Sequence, residues 1–293
     1  MKKILFVLVI LSLAFTAWAG GSKEAEAEAT FSGDYAFGGS TTVDPIITAS
    51  IEEWKSMYPD VHISYEGVGS SNGIKGILSG QYSLGAASRD PKDKEAAEGV
   101  RPVRVALDAI APVVNKNSVA VSNLSIEQLA KIFAGEITNW SEVGGADGEI
   151  VVFNRDESSG TFETFEKLVM GKADLEFMAA AGVVTSNGDM AAKVGATPNA
   201  IGYVGLGFVK EKGLKPVSVN NVEATVDNVY NESYPIWRYL NVVYVEETGL
   251  GDVEKAFVEY ILGSDGQAIV EEEGFISLPE NVVNSMMSQI SGQ

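Results

Sequence analysis

Residues 149–165 read EIVVFNRDESSGTFETF, and this one stretch contains three successive patterns. The apolar segment Glu149–Asn154 is typical of a short buried strand, and a helical pattern begins at Phe162. Between them, residues 155–161 are charged, hydroxyl-bearing or glycine. A strand that passes through such a loop into a helix indicates an α/β fold. The free backbone N–H groups at the helix start can bind an anion.

Two earlier stretches repeat this order of strand, polar loop and helix. Gly38–Thr42 follows an apolar segment and precedes a helix predicted over Pro45–Met57. Gly67–Gly73 follows a strand predicted over Val61–Tyr65 and opens a second helix. Further strands are predicted over Ser83–Ala87, Ala109–Asn115 and Ala200–Val204, and further helices over Ile126–Phe133 with a Ser125/Gln128 capping box, Val253–Leu262 and Gln267–Glu273. The alternation predicts an α/β fold with helices on both faces of each sheet.

The first residues have the three-part pattern of a cleavable signal peptide. Two lysines precede the apolar run Ile4–Phe15, and Ala17-Trp18-Ala19 has the small-residue spacing of a cleavage site. Residues 1–19 are therefore predicted to be removed on export, and residues 20–30, rich in Ala and Glu, to form a flexible tether. No later stretch reaches the roughly 18 uncharged residues of a membrane-spanning helix. The predicted location is periplasmic or extracellular.

Charge and cysteine content disfavour several kinds of partner. The net charge is −19, and without the two lysines of the signal peptide 19 basic residues face 40 acidic ones, which gives −21. Such a charge argues against nucleic acid and anionic membranes as partners. The absence of cysteine excludes disulfides, thiolate-bound metals and a lipid-modified cysteine. We predict no metal and no cofactor.

About 260 residues follow the tether, which is more than one core usually organises. We therefore expect two lobes with a ligand cleft between them. The chain can cross between the lobes near Asn115 and in the polar stretch 220–231. The predicted division places residues 31–114 and 231–293 in lobe 1 and residues 115–230 in lobe 2. Lobes that close on a ligand favour a monomer.

The three polar loops share one chemistry, because each places hydroxyl groups and unpaired N–H groups at a helix start. Several helix starts together can hold a small dianion inside an acidic protein. Arg155 adds a formal charge whose planar fork suits two oxygens of a tetrahedral anion. Nucleotide sites are not indicated, because the Walker lysine and the third glycine of a dinucleotide loop are missing. The sole histidine, His62, lacks the partners of a hydrolase, so no catalytic residue is predicted.

Six stretches resemble, in the same order, the periplasmic phosphate-binding proteins of phosphate ABC importers. They are Gly39–Val43, Gly69–Ile74, Ser88–Arg89, Asp108–Asn115, Ile132–Trp140 and Arg155–Thr161. The resemblance implies a type II periplasmic-binding-protein-like fold of two α/β lobes, each a mixed sheet flanked by helices. The lobes of such a fold close by a hinge on phosphate in the interlobe cleft and dock on an inner-membrane permease. The resemblance implies a binding protein rather than an enzyme.

The resemblance and the residue chemistry together give a set of predicted phosphate-binding residues. These are Ser40, Thr41, Thr42, Ser70, Ser88, Arg89, Asp108, Arg155, Ser159, Gly160 and Thr161. Two further residues are predicted to support them. Glu157 falls where an acid of the family orients the arginine, and Ser71 lies beside Ser70 in the second loop.

One position departs from the better-known members, in which an aspartate after the third strand accepts the proton of phosphate. This chain has Ser88 there. A carboxylate acceptor favours protonated phosphate over sulfate, which has no proton to donate. Arg89 is then expected to add a second charge, and Asp108, with Asp90 as the weaker candidate, to accept the proton. The departure leaves open another oxyanion such as sulfate, molybdate or tungstate.

Two alternatives come from other functional classes. An exported enzyme acting on phosphate esters would need a nucleophile with a base, or a metal cluster, and the sequence indicates neither. An adhesion or sensor-input module could use the same fold, since fold alone does not decide function.

Overall fold

Eleven strands and eleven α-helices alternate along residues 31–292, the part of the chain that the computed structural model describes. The strands are β1 (Gly33–Gly39), β2 (Val61–Gly67), β3 (Leu84–Ala87), β4 (Val100–Asn115), β5 (Asn123–Leu124), β6 (Val151–Arg155), β7 (Gly182–Val184), β8 (Ala200–Gly205), β9 (Leu214–Pro216), β10 (Ser218–Val219) and β11 (Trp237–Val245). The helices are α1 (Asp44–Met57), α2 (Ser70–Leu78), α3 (Asp93–Ala97), α4 (Ile126–Ala134), α5 (Gly160–Phe165), α6 (Gly171–Ala173), α7 (Asn187–Ala196), α8 (Val226–Tyr230), α9 (Asp252–Leu262), α10 (Ser264–Glu272) and α11 (Glu280–Ser291). The predicted signal peptide and tether, residues 1–30, lie outside the described residues.

The predicted strands and helices are all present, and the largest difference is at β4. This strand begins at Val100 rather than at Ala109, because its pairing with β11 outweighs the charged residues Arg101 and Arg104 that interrupt the apolar pattern. The sequence prediction also lacks β11 itself. Arg238 and Asn241 occupy buried positions there that a strand pattern would fill with apolar residues.

Nine of the described strands join one mixed sheet in the order β2-β1-β3-β11-β4-β8-β6-β7, with β9 also paired to β4. Strands β2 and β3 lie parallel to β1, β11 is antiparallel to both of its neighbours, and β6 is parallel to β7 and β8. β4 belongs to both halves of the sheet, since Val100–Ala109 pairs with β11 and Ile110–Val114 pairs with β8. The mixed α/β class is confirmed, and one long strand joins the two halves.

The change of partner inside β4 bears on where the lobes divide. The ranges 31–114 with 231–293 and 115–230 stay a prediction. We propose that the first crossing lies between Ala109 and Ile110, ahead of Asn115, because the pairing changes there. Ile110 N–H donates to the carbonyl of Ile236 at 2.8 Å, just before β11 begins. We propose that the second crossing lies beside the first, near Ile236.

Aromatic side chains fill the core on both sides of this crossing. Next to β1, the ring of Phe257 lies 5.5 Å from Phe37 and 5.5 Å from Trp54. In the other half, the ring of Phe165 stacks on Tyr203 at 4.1 Å. Burying each such side chain contributes about 1.5–3 kcal/mol.

Two of the tryptophans belong to the core. Trp54 and Trp140 are each 2% exposed. Trp237 is only partly buried, and its ring lies 5.7 Å from that of Tyr239 at the surface of β11.

The start and end of α4 follow from local sequence. Ser125 Oγ accepts a hydrogen bond from Gln128 N–H at 3.0 Å, and Gln128 Oε1 accepts one from Ser125 N–H at 2.9 Å, which is the predicted capping box. Gly135, with a φ of 79°, ends the helix in the left-handed conformation.

We expect Ser125→Ala to lower the free energy of unfolding by about 1 kcal/mol, because it leaves the Gln128 N–H without its cap. Urea denaturation measures this change. Ser83→Ala, at an exposed position beside β3, is the control and should stay within about 0.5 kcal/mol of the parent. Equal midpoints for the two variants would contradict the capping role.

Candidate functional site

Three loops of the described chain meet, two from the β1–β3 half of the sheet and one from the β6 half. Thr42 Oγ1 lies 3.0 Å from Thr161 Oγ1, so the loop after β1 contacts α5. A Cβ atom on Gly160 would stand 2.4 Å from Ser70 Oγ, so glycine is needed for α5 to approach α2 this closely. Ser70 Oγ in turn lies 3.2 Å from Ser88 Oγ. The predicted hydroxyl groups therefore form one buried cluster.

The loop after β1 takes its shape from Gly39 and Ser40. Gly39 has a φ of 144°, and a Cβ there would lie 2.1 Å from the carbonyl oxygen of Ala86, so the backbone passes β3 only with glycine. Ser40 Oγ accepts a hydrogen bond from Thr42 N–H at 3.1 Å. The side chain of Ser40 therefore stabilises the loop, whereas the hydroxyls of Thr41 and Thr42 face the other half of the sheet.

Arg155 ends β6 with its side chain buried, and the residue is 2% exposed. Its Nη2 donates to Thr41 Oγ1 at 3.2 Å and to the carbonyl of Thr185 at 3.0 Å. Nε and Nη1 have no hydrogen-bond partner among the described residues. Burial lowers the pKa of Arg155 to about 10. A buried guanidinium with unused donors is stabilised strongly by an anion.

The predicted supporting residues lie elsewhere. Asp156 Oδ1 accepts a hydrogen bond from Ser158 N–H at 2.9 Å, and this turn leaves Glu157 exposed to solvent. The expectation that Glu157 orients Arg155 is therefore wrong, since Thr41 and Thr185 hold the guanidinium. Ser71 also turns away from the cluster, because its Oγ donates to Glu163 at 2.8 Å.

Ser159 and Thr161 lie at the start of α5, beside the hydroxyl cluster. Ser159 Oγ accepts a hydrogen bond from Phe162 N–H at 3.2 Å and so caps α5, and its own O–H stays available to donate. Both residues are 1% exposed. The start of α5 thus combines a capped backbone with two hydroxyl groups at the cluster.

Asp108 lies in the cluster and is fully buried, but Arg238 already engages its carboxylate. Arg238 Nε and Nη2 donate to Asp108 Oδ2 at 3.0 and 2.7 Å, and Leu206 N–H donates to Oδ1 at 2.8 Å. Burial raises the pKa of Asp108 and lowers that of Arg238, while their mutual attraction opposes both shifts. The contacts favour an anchoring role for Asp108 over the predicted role of proton acceptor.

Arg89, predicted to bring a second charge, points away from the hydroxyl cluster. Its Nη1 and Nη2 donate to the two carboxylate oxygens of Glu95 at 2.7 and 2.8 Å, and its Nε lies 3.0 Å from Glu163 Oε2. Burial opposes the charge on Arg89, but these two carboxylates outweigh it and raise the pKa of Arg89. The prediction for Arg89 is wrong because two acids engage its guanidinium. Asp90, the weaker acceptor candidate, is exposed.

Arg238 takes the place expected for Arg89, and sequence reasoning missed it. Besides Asp108, it reaches the carbonyl of Ser88 at 3.0 Å and Thr42 Oγ1 at 3.4 Å. No local signal marks it, since it lies inside β11 and only strand pairing brings it opposite Asp108.

Asn187 is the second residue that was missed. It is fully buried, and its Nδ2 donates to Thr41 Oγ1 at 3.2 Å and to Thr42 Oγ1 at 2.9 Å. Asn187 begins α7 directly after Ser186, whose Oγ caps that helix. Residues 182–187 therefore repeat the strand, polar loop and helix start of the other three loops, and this repetition could have revealed it.

The arrangement suits the binding of a small anion. It combines buried hydroxyl groups, the Asn187 amide and two guanidinium groups. Among residues 31–292, no group of three or more His, Cys, Asp or Glu could hold a metal ion. His62 lies exposed on β2. Within the same residues, no helix has the length and apolar character needed to cross a membrane.

Known proteins match the chain over most of its length. The PBP superfamily domain matches residues 24–265. The phosphate-binding protein PstS of Borreliella burgdorferi is 34% identical over 286 residues, which cover 95% of this chain and 99% of that protein. The phosphate-binding protein PstS of Bacillus subtilis is 32% identical over 296 residues, which cover 96% of each.

A solved structure matches in three dimensions as well. The X-ray structure of a phosphate ABC transporter substrate-binding protein with bound phosphate, from Clostridium perfringens, gives a TM-score of 0.80 at 38% identity. The match covers 84% of this chain and 100% of that one. It confirms the predicted two-lobe periplasmic-binding-protein fold. The chain belongs to the PBP superfamily and, within it, to the family of the PstS phosphate-binding proteins.

Proposed function

We propose that this protein binds inorganic phosphate outside the cytoplasm and delivers it to the permease of an ABC importer. The observation that carries the proposal is the buried guanidinium of Arg155. Its Nη2 donates to Thr41 Oγ1 in the hydroxyl cluster, whereas its Nε and Nη1 lack partners among the described residues. A dianion there would accept these hydrogen bonds and offset the cost of burying the charge. The relatives support the same ligand, since two are phosphate-binding proteins and one structure contains phosphate.

In this proposal, the residues of the cluster divide into ligand contacts and supports. The proposed contacts are Thr41, Thr42, Ser70, Ser88, Arg155, Ser159, Gly160, Thr161, Asn187 and Arg238. Ser40 shapes the first loop, and Asp108 holds Arg238 in place. The two guanidinium groups supply charge, while hydroxyl and backbone N–H groups satisfy the remaining oxygens.

We further propose that the protein performs no chemistry on its ligand. Phosphate enters between the lobes, the lobes close by a hinge at the crossing, and the closed monomer docks on the permease. The predicted signal peptide supports a location in the periplasm or outside the cell, and mass spectrometry of the exported protein should show the loss of residues 1–19. Sustained hydrolysis of a phosphate ester by the purified protein would contradict the assignment as a binding protein.

Ser88 determines the selectivity that we expect. A hydroxyl group can donate to an anion oxygen or accept from a protonated one, so it does not repel sulfate as a free carboxylate would. Asp108 does not replace the missing acid, because its oxygens already accept hydrogen bonds from Arg238 and Leu206. The preference for phosphate over sulfate should therefore be modest.

Isothermal titration of the phosphate-free protein tests both statements. We expect phosphate to bind with a Kd at or below about 1 μM. We expect sulfate to compete, with a preference for phosphate well below the roughly 10⁴-fold that a dedicated polar acceptor supports. No heat of binding with phosphate would refute the proposed function, and tighter binding of sulfate or molybdate would favour another oxyanion. A preference for phosphate over sulfate above about 10⁴-fold would instead support Asp108 as the proton acceptor.

A further inference from the structure

A second group of charged residues joins the two halves of the sheet beside the proposed phosphate site. Glu163 lies in the first turn of α5, two residues after Thr161, and its carboxylate faces three groups from the other half. Ser71 Oγ donates to Glu163 Oε1 at 2.8 Å. Lys92 Nζ and Arg89 Nε lie 2.9 and 3.0 Å from Glu163 Oε2. We call Ser71, Arg89, Lys92 and Glu95, together with Glu163, the Glu163 clamp.

The partners of Glu163 are held in place by their own half of the structure. Glu95 binds Arg89 through both carboxylate oxygens, and Arg89 Nη2 also donates to Ser71 Oγ at 3.0 Å. All these residues lie within the range 31–114, so their mutual contacts persist when the lobes separate. Among the side-chain contacts of the clamp, those to Glu163 cross between the lobes, and Ser71 N–H also donates across to the carbonyl of Ser158 at 3.0 Å. Ser71, Arg89, Lys92 and Glu95 therefore form a preformed binding site for the carboxylate of Glu163.

The surroundings of the clamp make it stronger than an ordinary surface ion pair. The side chains of Arg89 and Glu163 are 6% and 14% exposed, which limits screening by water, whereas that of Lys92 is 57% exposed. The residues Arg89, Lys92 and Glu163 line a cavity of about 600 Å³. Arg238, which reaches Thr42, lines the same cavity. The clamp thus lies next to the ligand site but does not belong to it.

We infer that the Glu163 clamp stabilises the closed form directly and thereby sets how long phosphate stays bound. Glu163 is a positioning residue, because it holds α5, with Ser159, Gly160 and Thr161, against the other lobe. The inference rests on the proposed function for the identity of the ligand. A contact made only in the closed form raises the closed population, and the apparent affinity rises by the same factor. Most of that change lies in the dissociation rate.

Glu163→Gln tests the clamp, because it keeps the shape and the hydrogen bond with Ser71 but removes the charge. Glu166→Gln is the matched control, since Glu166 is an exposed glutamate one turn further along. The chain has no cysteine, so Lys75→Cys and Lys193→Cys, one in each proposed lobe, provide unique sites for a pair of fluorescent labels. Energy transfer between the labels then reports the distance between the lobes.

Without phosphate, Glu163→Gln should shift the distance distribution toward the open form, and Glu166→Gln should match the parent. With phosphate, Glu163→Gln should dissociate about tenfold faster, which corresponds to ~1.4 kcal/mol. In the parent, raising the salt concentration should shift the interlobe distances in the same direction as the Glu163→Gln substitution does. Salt screens the exposed contact between Lys92 and Glu163 first.

Unchanged distances and an unchanged dissociation rate in Glu163→Gln would overturn the inference. If that variant fails to fold, the salt dependence of the parent decides, and interlobe distances that do not respond to salt would count against the clamp. If the parent binds no phosphate, the proposed function fails. The interlobe distances measured without ligand still test the clamp separately.

Discussion

Arg155→Ala should weaken phosphate binding by about 10²- to 10³-fold, because removing one partner of a buried, hydrogen-bonded charge pair costs about 2–5 kcal/mol. Arg155 is buried at the end of β6, and its Nε and Nη1 are the donors without partners among the described residues. Without the guanidinium, a dianion in the cluster would depend on Arg238, whose charge Asp108 already compensates. Isothermal titration with phosphate measures the loss.

Two further variants separate lost binding from lost folding. Arg155→Lys keeps the charge but not the planar fork, so its affinity should lie between that of the parent and that of Arg155→Ala. Arg101→Ala removes a guanidinium from the more exposed ion pair with Glu246 and should bind phosphate like the parent. The ligand-free stability of Arg155→Ala should not fall, because the parent buries this charge without a carboxylate partner. Near-parent affinity in Arg155→Ala would reject the site.

Asp108→Asn should destabilise the phosphate-free protein by about 3–5 kcal/mol, the cost of leaving a buried charge without its partner. Asp108 is fully buried, and its carboxylate accepts two hydrogen bonds from Arg238, which is itself 6% exposed. The asparagine leaves the Arg238 cation uncompensated in the interior. Urea denaturation without phosphate measures the effect, and saturating phosphate should restore part of the stability by binding the folded state.

The same variant also tells the two roles of Asp108 apart. If Asp108 anchors Arg238, the affinities for phosphate and sulfate should change together in Asp108→Asn. If it accepts the proton of phosphate, the variant should lose its preference against sulfate. Asp90→Asn is the control, since Asp90 is exposed, and its stability should stay within about 0.5 kcal/mol of the parent. An Asp108→Asn protein as stable as this control would contradict the anchoring role.

The sequence predicts the local parts of the site well because those parts are local in origin. Gly39, the capped start of α5 at Ser159 and the capping box at Ser125 depend on residues within a few positions of each other. The alternation of apolar segments and helical patterns was sufficient to predict the α/β class. The order of the motifs was sufficient to predict the family.

Charge partners were predicted less well, because a charged side chain can reach several carboxylates that lie far away in the sequence. Arg89 contacts Glu163, which lies 74 positions later in the sequence, instead of the predicted ligand site. Glu157 is exposed to solvent because Asp156 forms the turn. Asn187 could have been found from its capped helix start. Arg238 could not, since its neighbours in β11 give no hint of Asp108.

The amino-acid sequence by itself determined the hydroxyl loops and the buried arginine at the end of β6, since strand ends and helix starts are set by short-range patterns. Only the tertiary structure decided which carboxylates Arg89 and Arg238 contact. The segment Val100–Ala109 of β4 pairs with β11, and this register places Arg238 opposite Asp108 at the cluster. The approach of α5 brings Glu163 to Arg89. A counter-charge offsets the cost of burying a cation, and which carboxylate provides it for Arg89 and Arg238 depends on long-range packing.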